Sequence, residues 1–237
     1  MTPQHIKITF HDTVIVKYLS IFAGILVLTS LYGDIGNLYF GRSLSVDLAK
    51  HLMNTAREGN LSSYFSALLL LGAAALLSVI YFFHRQTNNI YTRKWLVLAI
   101  GFLLMSFDEA ISIHELLIMP TRKLIAMDTY GIFHFTWVIP ALVLIVILGL
   151  YFFRFVLHLA PPTGMQFVIA AAMFLGGCVG FEMLGGWCAE QYGFNHLSYI
   201  ACTNTEEALE MAGIILFIKS LFAYIKKLAI TMEIETI

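Results

Sequence analysis

Charge is scarce in this chain. Of its 237 residues only 12% are Asp, Glu, Lys or Arg, about half the roughly 25% of an average soluble domain. There is no basic stripe or tail, and the formal net charge is −1, which excludes a nucleic-acid binder. With 59% hydrophobic residues, the chain is neither disordered nor an ordinary soluble enzyme. The gaps between its apolar runs leave no room for a soluble domain, and no internal repeat is visible. Several catalytic signatures are also missing. The Glu-x-x-His pairing of carboxylate-bridged di-metal bundles occurs nowhere. His114-Glu115 runs on into Leu116 and Leu117 instead of completing the zincin His-Glu-x-x-His. The histidines form no desaturase-like set.

What is present is hydrocarbon. Six apolar runs, near 14–33, 63–83, 95–117, 133–154, 165–187 and 205–226, match the roughly 20 residues a helix needs to cross about 30 Å of lipid. The expected fold is all-α: a single integral membrane domain over 1–237, a polytopic bundle of six transmembrane helices with one short amphipathic surface helix. The first run is too long for a signal peptide. Leu31-Tyr32-Gly33 offers it no small-x-small cleavage site.

Lys and Arg in the loops set the expected orientation. With the N-terminus inside, the inner side receives Lys7, Arg85, Arg93, Lys94, Arg154, Lys226 and Lys227. The outer side receives Arg42, Lys50, Arg57, Arg122 and Lys123. Both termini are therefore expected to be cytoplasmic. In the outer segment 34–62, Val46, Ala49, Leu52, Met53 and Ala56 form an apolar stripe that Gly59-Asn60 would end. It reads as a helix lying on the membrane surface or as a lid over a site beneath.

The acids are the unusual feature. Seven of fifteen Asp and Glu fall inside predicted spans: Asp108, Glu109 and Glu115 on the third, Glu182 on the fifth, and Glu206, Glu207 and Glu210 on the sixth. A carboxylate at membrane depth is expensive and marks function by default. Asp108 lies about 20 Å along its span. Glu182 is near an outer end, Glu206 to Glu210 fill the outer turns of their span, and His134 opens the fourth span on the same side. At 100° per residue, Asp108, Glu109, Ser112 and Glu115 share one arc, as do Glu206, Glu207 and Glu210. His114 points elsewhere, toward another helix or over the cluster.

Local cations are few, because Lys17 and Lys219 lie toward the inner side. Three things can balance the acids: bound metal, protons shared between carboxylates, or Arg57, Arg122 and Lys123 folding in from loops. Metal is the leading expectation, with Asp108, Glu115, Glu206, Glu210, His114 and His134 as ligands. Glu109, Glu182 and Glu207 are the candidate general base or supporting acids. The cofactor would be a divalent Fe, Mn or Zn ion. The partner would be membrane lipid, and the substrate lipid-like, taken by a metal-dependent hydrolase or oxidoreductase. A proton or divalent-cation transporter and a non-catalytic assembly subunit are the alternatives. A transporter fits less well, since Trp95 to Met105 contains no ionisable residue.

Smaller signals surround this cluster. Gly176-Gly177-x2-Gly180 and Gly185-Gly186 read as close helix packing, and Pro140 as a kink. Cys188 and Cys202 bracket one loop and are candidates for a disulfide, while Cys178 reads as a small apolar residue. Met105, Met119, Met127, Met183 and Met211 read as filler. Trp95, Trp137 and Trp187 read as interfacial belt residues. Ser106 and Ser112 read as hydrogen-bonding helpers, and His196 as a solvated loop histidine.

Overall fold

In lipid only a helix satisfies every backbone N–H and C=O within one segment, so each long apolar run is driven to the same form. The computed structural model describes residues 11–41, 43–54, 59–127 and 129–235, with side chains through 228. Among them there are helices and no strands. In chain order these are α1 (Asp12–Tyr39), α2 (Leu44–Leu52), α3 (Leu61–Gln86), α4 (Thr92–Ile111) and α5 (Ile118–Ile125). They are followed by α6 (Val138–His158), α7 (Pro161–Leu175), α8 (Glu182–Tyr192) and α9 (Leu197–Glu235). A π-helical turn, Gly176–Phe181, joins α7 to α8, and 3-10 turns at His114–Leu117 and Gly131–Phe133 flank α5.

Five stretches are long and apolar enough to cross a membrane: α1, α3, α6, the run Pro161–Tyr192, and α9. A sixth crossing is counted if α4 and the segment His114–Ile125 are taken as one span bent by 82°. The all-α, multi-pass reading of the sequence therefore holds. The chain runs up and down, so the start of α1 meets the end of α9, where Lys226 Nζ lies 2.6 Å from Asp12 Oδ1. We call this the terminal end and its opposite the far end. α9 is the central helix and packs on α1, α3, α7 and α8. Half of its spanning window is buried, against 11% for α6, which stands at the periphery.

The terminal half is an apolar plug. Trp95, 1% exposed, meets Phe155 edge-on at 5.0 Å and Tyr224 at 4.9 Å. His84 stacks on the same indole at 5.7 Å and shares a 2.8 Å hydrogen bond with the Tyr224 hydroxyl. Trp95 is thus a core residue and not an interfacial one. An aromatic ring this large buries more area facing neighbouring helices than lying in a belt.

Four further expectations are corrected. Gly59-Asn60 does not end the surface helix, which stops at Leu52. Asn60 instead caps α3: its side chain accepts from Ser62 N and Ser63 N, and the Ser63 hydroxyl answers the Asn60 N–H, a capping box. The surface helix packs against α1, where a Cβ on Gly36 would stand 2.8 Å from Val46 Cγ2. Pro140 makes no kink, because it sits in the first turn of α6, where no intrahelical donor is needed. His134 lies before α6, not on it. Finally, the third span does not continue straight to 117. Ser112 takes a left-handed conformation (φ 56°), its N–H bonds to Asp108 O at 2.7 Å, and the chain turns away.

Candidate functional site

The break after α4 is made by Asp108. Its Oδ1 accepts the His114 backbone N–H at 2.7 Å and its Oδ2 faces His114 Nδ1 at 3.0 Å. One carboxylate thus serves the donor left open at the start of the 3-10 turn and pins the ring of the same residue. His114 then packs on the Trp137 indole, with ring centroids 4.6 Å apart. The indole N–H donates to Glu182 Oε1 at 2.9 Å. The Glu182 and Glu206 carboxyl groups lie within hydrogen-bonding reach of each other. A continuous polar line therefore runs from α4 through the loop before α6 to α8 and α9.

Glu206, Glu207 and Glu210 sit three and four residues apart, so they share a face of α9. Glu210 is buried, 9% exposed. That face meets the π-helical turn so closely that a Cβ on Gly177 would lie 2.7 Å from Glu206 O and 2.9 Å from Glu210 Cγ. Gly213 continues the contact onto α7, where a Cβ would stand 2.8 Å from Phe174 N. Glycine is required here because backbone meets backbone. The charges of Glu109, Glu182, Glu206 and Glu210 all reach the Cys178 thiol in the π turn. The other acids weigh on one another: Glu182, Glu210 and Glu207 act on Glu206, and Glu207, Glu109 and Glu182 act on Glu210. Acids carried by α4, α8 and α9 therefore act on one another. The core of the group is Glu182, Glu206 and Glu210, with Glu109 and Glu207 beside them.

The expected ligand set is otherwise divided. Asp108 and His114 are spent on each other at the α4 break. Glu115 is exposed on the 3-10 turn, because the bend at Ser112 removes it from the arc of Asp108 and Glu109. His134 Nδ1 faces Glu190 Oε2 at 3.5 Å, away from the α9 acids. Among the described residues no three His, Cys, Asp or Glu side chains gather tightly enough to hold a metal ion.

Among the described residues, the expected loop cations make no ion pair with Glu182, Glu206 or Glu210. Arg122 folds in, but its Nη2 donates to His134 O at 2.6 Å and its guanidinium lies 4.9 Å from the Tyr130 ring centre. Lys123 is exposed. Arg57 lies outside the described residues. Cys188 and Cys202 are free thiols held side by side, not a disulfide. Trp137, expected in the belt, is the donor to Glu182, while Trp187 is 41% exposed. Ser106 bonds Ala67 O of α3 at 2.8 Å and Ser112 ends α4, so neither assists an acid side chain. His196 Nδ1 accepts the Ser198 N–H at the start of α9, as suits an exposed loop residue.

Two acids were passed over. Asp34, buried in the last turns of α1, accepts from Asn54 Nδ2 at 2.7 Å and from Asn204 Nδ2 at 3.3 Å, tying α1 to α9. Glu190 accepts the backbone N–H groups of Gly131 at 2.8 Å and Tyr130 at 3.3 Å. It thereby closes the loop that presents Trp137. Asp34 carried a readable signal, an acid between Gly33 and Gly36 at the end of an apolar run.

With this arrangement in view, comparison with known families decides one point. The chain belongs to the family described as Domain of unknown function (DUF8692). The match covers residues 19–225, from within α1 to the end of the buried part of α9. It therefore takes in the whole acid cluster and the terminal plug. No curated protein and no solved structure matches the chain.

Proposed function

We propose that this multi-pass helical protein is a membrane-embedded enzyme whose working group is the carboxyl cluster of Glu182, Glu206 and Glu210. Its substrate would be a lipid or another amphiphile. The observation that carries the proposal is the mutual approach of the Glu182 and Glu206 carboxyls, with buried Glu210 close by and only acids among the charged groups acting on Glu206 and Glu210. Two carboxyls can hydrogen bond only by sharing a proton. Such a pair supplies a general acid and a general base side by side. The Trp137 N–H orients Glu182 so that Glu206 is the freer partner. The π turn beside the pair supports the same reading, since π turns recur at functional sites. Transport fits less well, because the terminal half is closed by Trp95, Phe155, Phe167 and Tyr224. The Lys and Arg bias favours a cytoplasmic terminal end.

A divalent metal is the second reading, resting on the number of acids along predicted spans, although the described residues do not gather as a ligand set. Glu182, Glu206 and Glu210 are the residues it would have to draw together, and it would supply Lewis-acid activation of water. One experiment addresses both readings. Protein reconstituted in vesicles of natural lipid extract is followed by untargeted lipid mass spectrometry, with elemental analysis of the same sample. The proposal expects at least one lipid consumed by the wild type and not by Glu206→Gln. One divalent ion per chain, lost in Glu210→Gln, would select the metal reading. Unchanged lipids with wild-type protein would overturn the enzymatic reading and leave an assembly role for the acids.

A further inference from the structure

A groove with a cavity volume of about 560 Å³ runs along the outside of the bundle between α1 and α9. Ala23 and Met211 form its buried floor, and Gly24, Ala208 and Ala212 keep it open. A Cβ on Gly24 would meet nothing within 4 Å, so the two helices do not close on each other there. From Lys219 to Ala208 along α9 the groove is about 17 Å long, slightly more than one leaflet's share of the roughly 30 Å hydrocarbon. It is apolar along its length except for Ser20 and the ammonium of Lys219 at its terminal end.

That ammonium is the informative group. Lys219 is seven residues before Lys226 on α9, about 10 Å inside the terminal end. An ammonium at that depth needs a counter-ion or a route to the headgroups. Among the described residues Lys219 makes no ion pair or hydrogen bond, and nearby Asp12 is held by Lys226 at 2.6 Å. Lys17, next to groove-lining Val16 on α1, is exposed at the same end. The anion is therefore expected from the lipid itself. We propose that the α1–α9 groove binds one acyl chain of an anionic phospholipid, with its phosphate at Lys219. The site is separate from the carboxyl cluster and stands whether or not that cluster is catalytic.

Native mass spectrometry of the detergent-purified protein with equal amounts of phosphatidylglycerol and phosphatidylcholine tests this. The wild type should retain phosphatidylglycerol with about fivefold preference, the size of one lysine's contribution near an anionic surface. Lys219→Gln should reduce that preference to parity. Gly24→Leu, which fills open space, should lower retention of both lipids without unfolding the protein. Equal retention by the wild type, or undiminished preference in Lys219→Gln, would overturn the proposal. So would a wild-type dimer that Gly24→Leu dissociates, since a second copy would then occupy the groove.

Discussion

The terminal and far halves of this bundle solve the same problem in opposite ways. At the terminal end Trp95, Phe155, Phe167 and Phe217 fill the space between helices as a soluble core would, and the polar pair set among them, His84 and Tyr224, is joined by one hydrogen bond through His84 Nε2 while His84 Nδ1 has no partner. At the far end the helices are held close by glycine, and the enclosed space is given to carboxyl groups. One half is built for packing. The other gives up packing for a concentration of acids. Polar groups that burden the fold are retained where they have other work.

Substitutions can break or sharpen this contrast. The largest effect is expected from Trp95→Ala, which empties the plug and should destabilise by about 3–5 kcal/mol, read as a lower unfolding temperature in detergent. Gly177→Ala should follow, at about 1–3 kcal/mol, because its Cβ would press on the α9 backbone. Gly180→Ala, whose Cβ meets nothing within 4 Å, should leave the same measurement unchanged. Glu210→Gln should unfold at or slightly above the wild-type temperature, since it replaces one of several crowded buried acids by a neutral group of the same shape. A marked loss of stability there would show that the cluster is structural. Glu115→Gln is the smallest, within about 0.5 kcal/mol, because the side chain is exposed beyond the bend.

The spans were legible because lipid imposes length and apolarity on every crossing. What escaped reading was tertiary. The α4 break depends on Asp108 reaching forward to His114, a bond that helical phase does not reveal. Phase therefore misplaced Glu115. His134 was assigned to the cluster because its true partner, Glu190, lies 56 residues away in the chain, beyond any local pattern. Trp95 resembled a belt residue because its neighbours Phe155 and Tyr224 come from distant helices. The capping box at Asn60 and Ser63 is a local pattern that Gly59, just before it, disguises as a helix stop.

The central claim is that the Glu182 and Glu206 carboxyls lie close enough to share a proton, since among the described residues neither is in an ion pair. Infrared spectroscopy of the reconstituted protein at neutral pH measures this directly. A protonated-carboxyl stretch that shifts on hydrogen–deuterium exchange and disappears in both Glu182→Gln and Glu206→Gln is the predicted result. A wild-type spectrum with carboxylate bands alone would contradict it.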